Sequence, residues 1–314
     1  MAPQEMTVLA SDRHVKEFSP FSEPAYRVEP GEWIRVETLC ASSGAVKETV
    51  RAASNEELYA QTGWVLGMPM TGPIYVEGAE PGDALAVYID EIITNDSGWT
   101  VAQPGRGAAG ELIDVAEVRV LPIRDGAVDF GFNVHLPLTP MIGAIGTAPK
   151  DRAYGSGIPE AHGGNLDCTL IRPKSTLYLP VNVPGALLGL GDLHAVMGDG
   201  EVGMAGLEVS GSVIARLGLI KKATMPLPAI DIGTSIAVIV SAPDLDEAAR
   251  RSVQEMVKWI AAETELGIND ANMLVSLVGD VRICQIVDPL MTCRLEMPSD
   301  VLASIGITLP NWNK

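Results

Sequence analysis

Over the first two-thirds of the chain, apolar and polar positions alternate in short runs, the period-2 pattern of strands with one buried face. Glu32–Leu39 alternates after a Pro30-Gly31 turn, and Pro81–Ile92 repeats the same grammar of a Pro-Gly turn followed by a β-rich run. Val115–Leu121, Ser175–Leu179, Val202–Val209 and Ser212–Leu219 continue it, with turn chemistry at Asp125-Gly126, Pro184-Gly185 and Asp199-Gly200. Strands and helices do not alternate as in a doubly wound sheet. Gly155-Ser-Gly157 and Gly189-Leu-Gly191 both lack the third glycine of a dinucleotide-binding loop.

Helical periodicity appears late. Asp244 sits three residues before Glu247, the spacing of a capping box, and Leu245, Ala249, Val253, Met256, Val257 and Ile260 follow as one apolar stripe. A second helix from about Asn269 carries Met273, Leu274, Leu277 and Val278 and stops at Gly279; Val281–Val287 then returns to strand. Ser54–Glu57 and Val301–Ile305 suggest two shorter helices. The pattern predicts a mainly β protein with an α+β C-terminal part. Residues 1–225 form a β-rich body that carries the candidate site, and 226–314 form a subdomain packed on it.

Composition sharpens this picture. Of 314 residues 47% are hydrophobic and 20% charged, a globular balance, while 32 glycines and 22 prolines fit many tight turns. With 22 Lys+Arg against 40 Asp+Glu the formal charge is −18, which opposes nucleic-acid and anionic-membrane binding and favours a small neutral or cationic ligand or a divalent ion. No basic segment leads into an apolar one at the N-terminus, and no apolar window spans a bilayer. Cys40, Cys168, Cys284 and Cys293 are too widely spaced for a disulfide framework or a cysteine zinc site, so the expected setting is a reduced cytoplasm.

Two segments concentrate metal-ligand and acid–base residue types within apolar runs. In His162–Leu170, strand alternation would place Asn165, Asp167 and Thr169 on one face, with His162 carried on the preceding Gly-Gly loop. In Gly191–Glu208, Asp192 and His194 stand two apart, a spacing that lets one strand offer two ligands to one ion. A turn at Asp199-Gly200 would fold the chain back beside them. A one-residue change of register decides whether Glu201 or Glu208 faces the pair. No GxSxG elbow, HExxH motif or Ser–Ser–Lys signature competes, and Cys168 lacks a local nitrilase motif.

Thr71–Asp83, Pro104–Gly107, Gly143–Pro149, Gly164–Asp167, Gly191–Glu208 and Ser276–Ile283 together resemble the acetamidase/formamidase family, in matching order from about residue 13 to 298. The resemblance implies a β-sandwich or barrel with several subdomains, a homo-oligomer, hydrolysis of short linear amides to carboxylate and ammonia, and a bound zinc or calcium ion. Cys40 stands where an acid is expected in relatives. Residues and resemblance together assign Asp167, Asp192, His194 and Glu208 as metal ligands and Glu201 as general base. Asn165 and His162 become oxyanion donors, and Tyr75 and Glu77 border the substrate. Two other readings stand beside this one: hydrolysis of a larger or cyclic amide, and a non-catalytic binding protein with a calcium staple.

Overall fold

The computed structural model describes residues 3, 5–310 and 312; the remaining terminal positions of both predicted segments lie outside the described residues. Two large sheets dominate. In the nine-stranded sheet, the neighbouring strands Trp33–Thr38, Gly211–Ile220, Ala84–Thr94 and Ser175–Pro180 lead on to Ala229–Asp231, Ser235–Ala242, Met291–Pro298 and Asp280–Gln285. The twelve-stranded sheet centres on Leu188–His194, flanked by Met141–Gly146, Met70–Val76 and Glu208–Val209.

Alternation decides how these sheets stack. Ile34, Val36, Leu85, Val87, Ile89, Leu177 and Leu179 of the first sheet pack against Ile74, Ile142, Ile145, Leu188, Leu190 and Leu193 of the second in one buried cluster. Burying each such side chain fully is worth about 1.5–3 kcal/mol. The intervening Ala84, Ala86 and Tyr178 point the other way. They meet Met256, Val257, Trp259 and Ile260 of the Leu245–Glu263 helix. That helix begins as predicted, with the Asp244 carboxylate accepting the Glu247 N–H at 2.8 Å. The fold is therefore a mainly β sandwich with its helices collected towards the C-terminus. No helix among the described residues is long and apolar enough to cross a membrane.

The nine-stranded sheet runs through the 225/226 boundary, because Ala229–Asp231 pairs with Ser175–Pro180. We keep the 1–225 and 226–314 division only as a proposal about order along the chain. The Asp125-Gly126 turn closes its hairpin as expected, both residues having positive φ and Arg124 pairing with Ala127. Val202–Val209 is different: only Glu208–Val209 is strand, and the residues before it form a loop.

That loop is tied down at Asp199. Its carboxylate accepts Arg294 Nη2 at 2.7 Å and Nη1 at 3.0 Å, and Thr169 Oγ1 at 2.6 Å. Burial raises the pKa of Asp199, but the Arg294 and Thr169 hydrogen bonds and the Arg294 charge outweigh it and hold the carboxyl below its ordinary value. A depressed carboxyl stabilises the fold above its unfolded pKa and loses that contribution as pH falls through the folded pKa. Asp199→Ala is expected to cost about 2 kcal/mol near neutral pH. Breaking a fully buried pair costs more, and the 37% exposure of the Asp199 side chain scales that down. Denaturant unfolding checks this: the gap between wild type and variant should close below pH ~4, and a gap independent of pH would refute the assignment.

Candidate active site

The sequence brings its acids together by breaking strand regularity. Leu188–His194 pairs with Glu208–Val209 so that His194 stands directly opposite Glu208. Asp192, Asp167 and Glu201 have φ of 57°, 43° and 44°, in the left-handed region that costs a side-chain-bearing residue roughly 1–3 kcal/mol. The predicted alternation of Asn165, Asp167 and Thr169 therefore fails. The strand ends at Asn165, Asp167 turns inward, and Thr169 turns to Asp199. The predicted choice between Glu201 and Glu208 also dissolves. Glu201 reaches the site from the loop and Glu208 from the returning strand.

His194 is the hub. Its Nε2 lies 3.0 Å from Glu208 Oε1, 3.7 Å from Asp192 Oδ1 and 3.9 Å from Glu201 Oε1, while Nδ1 lies 3.8 Å from Asp167 Oδ1 and 3.2 Å from Met197 Sδ. The contact with Glu208 is close but lacks hydrogen-bond alignment, leaving Nε2, both Asp167 oxygens and Glu208 Oε2 without hydrogen-bond partners. A Cβ on Gly143 would meet Asp167 Oδ1 at 2.6 Å and Asp192 Oδ2 at 2.8 Å, and one on Gly206 would meet the His194 ring at 2.7 Å. These two glycines are the space into which the polar groups converge.

The electrostatics follow from this crowding. Burial, then Asp288, push Asp167 well above the usual carboxylate range; burial and Asp167 do the same to Glu201. Glu208 is pushed up to about 7 by burial, with His194 pulling the other way. Burial alone would lower the pKa of His194, but Glu208 and Asp192 outweigh it and hold the ring well above its ordinary value. Asp167–His194–Glu201 and Asp192–His194–Glu208 each bring ligand atoms within 4.8 Å of one another. Unpartnered, water-inaccessible carboxylate oxygens facing an imidazole nitrogen fit a divalent cation with mixed O/N ligands.

Asp288, absent from the sequence reading, joins the site from the C-terminal part. Its Oδ2 accepts Asn165 Nδ2 at 2.9 Å. Gln285 Oε1 accepts the backbone N–H groups of Val287 and Asp288, each at 2.9 Å, and so shapes the loop that presents it. Burial and the Glu201 charge push Asp288 upwards as well. A lone aspartate before Pro289 carries no pattern that marks it in advance. Asn165, Asp192, Glu201, Glu208 and Asp288 line one cavity with about 120 Å³ open to the centre of a water molecule. Its walls include Tyr59, Trp64, Met68 and Trp99. The Trp64 ring packs edge-on against Tyr59 and Trp99 at 5.3 and 4.7 Å.

Three assigned residues are placed elsewhere. His162 is buried between Phe18 and Tyr154 at 4.9 and 5.0 Å, with neither ring nitrogen partnered, and burial pushes its pKa down to about 4. Gly163-Gly164 is strand and no loop, and His162 just before it packs between aromatic rings away from the cavity lining. Tyr75 lies under the Arg27 guanidinium at 4.1 Å and Glu77 pairs with Arg27 at 2.8 Å, so both serve the opposite end of their strand. Cys40 is buried in the apolar cluster that holds Trp99, beside Ala41 on the cavity lining.

A two-sheet β protein with a buried carboxylate–histidine centre at the end of an aromatic-walled cavity is the class that fold and site define. The chain belongs to the acetamidase/formamidase family, whose sequence model matches residues 10–156 and 151–304. It is 37% identical to the crystal structure of an acetamidase from Bacillus halodurans, covering 96% of this chain and 100% of that one at a TM-score of 0.91. A predicted acetamidase/formamidase from Thermoanaerobacter tengcongensis is 39% identical, covering 97% and 99%, also at 0.91. A formamidase from Methylophilus methylotrophus is 27% identical in a match that covers 62% of this chain and 61% of that protein. The chain spans about three-fifths of the length of the curated relatives it matches.

Gly143→Ala tests the convergence of Asp167 and Asp192 directly. The added methyl is expected to cost roughly 1–3 kcal/mol by overpacking, read from the denaturant midpoint. An unchanged midpoint would mean that the two carboxylates are free to move apart.

Proposed function

We propose that this protein hydrolyses the C–N bond of a small amide, yielding a carboxylate and ammonia. The observation that carries the reading is the convergence of Asp167, Asp192, His194, Glu201 and Glu208 at one end of the cavity, in a chain of this family. Asp167, Asp192, His194 and Glu208 would hold a divalent ion, zinc or calcium. Such an ion supplies Lewis-acid polarisation and brings hydroxide within reach near neutral pH. Glu201 takes the proton released as water attacks the carbonyl carbon, then delivers it to the leaving nitrogen. Its raised pKa suits both halves of that cycle. Asn165 gives one N–H to Asp288 and has a second to offer the oxyanion. The Trp99 ring, whose Nε1–H is buried without an acceptor, forms part of the wall beside it.

A calcium staple in a non-catalytic protein is the weaker reading. A structural calcium site is closed around its ion, whereas here Asp192, Glu201 and Glu208 line a cavity. Hydrolysis of a larger amide draws support from the aromatic wall, which offers apolar surface to an acyl group bigger than formyl or acetyl.

His194→Ala and Asp167→Asn are expected to lower amide turnover by about 10²–10⁴-fold and to reduce the metal content measured after dialysis. Normal turnover and metal content in both folded variants would refute the assigned centre. Chelator treatment that leaves wild-type turnover unchanged would remove the ion from the mechanism.

A further inference from the structure

The strand Asp280–Gln285 ends the nine-stranded sheet and pairs with Met291–Pro298 alone, apart from a bridge from Gly200 to Gln285. Gly200 closes its far end, giving its N–H to Cys284 O and accepting that of Ile286. From Asp280 to Ile283 the outer row of backbone N–H and C=O groups has no strand beside it among the described residues, and all four residues are exposed. Such an edge is a template for another strand, and proteins usually blunt it with proline, lysine or a covering segment. This one reads Asp-Val-Arg-Ile and carries none of these devices.

Exposed apolar side chains gather at the same place. Val281 and Ile283 stand opposite Leu295 and Cys293 in the ladder, and so lie on the face turned towards the helices. The helix Ile268–Val278 runs directly into this strand and adds Met273 and Leu277, one turn apart and 55% and 81% exposed. Apolar surface collected beside an open edge marks an interface. Asp280 and Arg282 take the other face, opposite Glu296 and Arg294.

Those two charges decide what fits. A two-fold axis pairs a strand with its own copy antiparallel, centred on one residue. Centred on Val281, the pairing sets Asp280 against the partner's Arg282, and Arg282 against the partner's Asp280. Ile283 then falls opposite the partner's Gly279, which has no side chain to obstruct it. Moving the centre by one residue sets Arg282 against the partner's Arg282, or Asp280 against the partner's Asp280. Like charges directly opposite are destabilising, so the neighbouring registers are disfavoured.

We propose that Asp280–Ile283 is a self-pairing edge through which two copies of this chain join their nine-stranded sheets into one, in the register centred on Val281. The inference is independent of the amide-hydrolase reading. Two chains of formal charge −18 repel at long range. The crossed Asp280–Arg282 pairs supply opposite charge at the contact itself, and Val281 and Ile283 supply the apolar surface that the contact removes from water.

Sedimentation analysis of the full chain, with folding checked by the denaturant midpoint, tests the surface. Ile283→Lys should halve the mass of the wild-type assembly. Asp280→Arg should weaken association at least about tenfold, because both crossed pairs become like-charged. Adding Arg282→Asp to that variant recreates the crossed pairs with their signs exchanged and should restore association. Val281→Cys tests the register: opposed Cα atoms about 4.5–5.5 Å apart permit a disulfide. Mild oxidation should then yield a reducible covalent dimer, and the four native cysteines are buried and contribute no such band. A wild type with the mass of one chain, or a mass unchanged in both folded single variants, would overturn the interface. Failure of the charge exchange to restore association, or no covalent dimer from Val281→Cys, would overturn the register.

Discussion

Four carboxylates and one imidazole are held out of water around His194, and this is the most expensive thing the molecule does. Each ion costs several kcal/mol to desolvate even after the protein relaxes around it. Burial first, and neighbouring like charges after it, push Asp167, Glu201 and Glu208 upwards. Three of the four acids also sit in left-handed backbone. Only a scaffold that over-determines their positions keeps them there. The shared apolar core of the two sheets supplies it, because Leu188, Leu190 and Leu193 bury the same strand that carries Asp192 and His194.

The second support comes from the C-terminal part. Arg294, on a strand covered by the Leu245–Glu263 helix, grips Asp199 at the head of the loop that carries Glu201. Gly200 N–H donates to Cys284 O at 2.8 Å and Ile286 N–H donates to Gly200 O at 3.1 Å, stitching that loop to the segment that ends in Asp288. Glu201 and Asp288 therefore keep their relation through backbone hydrogen bonds and one ion pair. The Leu245–Glu263 helix bears on the site because it packs against the strand that carries Arg294.

The cavity shows a division of labour. Its deep end is polar and charged, where differences in proton position and hydrogen bonding act in a low-dielectric setting. Its walls are aromatic, and the Gln103 amide donates to the Tyr59 hydroxyl at 2.8 Å, holding one ring in place. Such walls exclude water and accept apolar surface without demanding one shape.

Much of this was legible from the residues alone. Alternation located the strands at Glu32–Leu39, Ser175–Leu179 and Ser212–Leu219, and capping at Asp244 located the long helix, because local sterics and one buried face are properties of short windows. The grouping of Asp167, Asp192, His194, Glu201 and Glu208 was also readable, since charged residues within apolar runs are poorly explained by solvation. Alternation misled wherever the backbone left its regular form. It made Val202–Val209 a strand and put Asn165, Asp167 and Thr169 on one face, although Asp167 turns at positive φ. It could not see that His162 would be taken by Phe18 and Tyr154.

Which acids exist, and that Asp192 and His194 share one strand, belong to the sequence by itself, because propensity and periodicity act over a few residues. The tertiary structure decided which of them meet. Asp288 lies 123 residues from Asn165 along the chain yet 2.9 Å from it in space, and Arg294 lies 95 residues from Asp199. Contacts of that separation depend on how two sheets stack and register, and no local pattern encodes them.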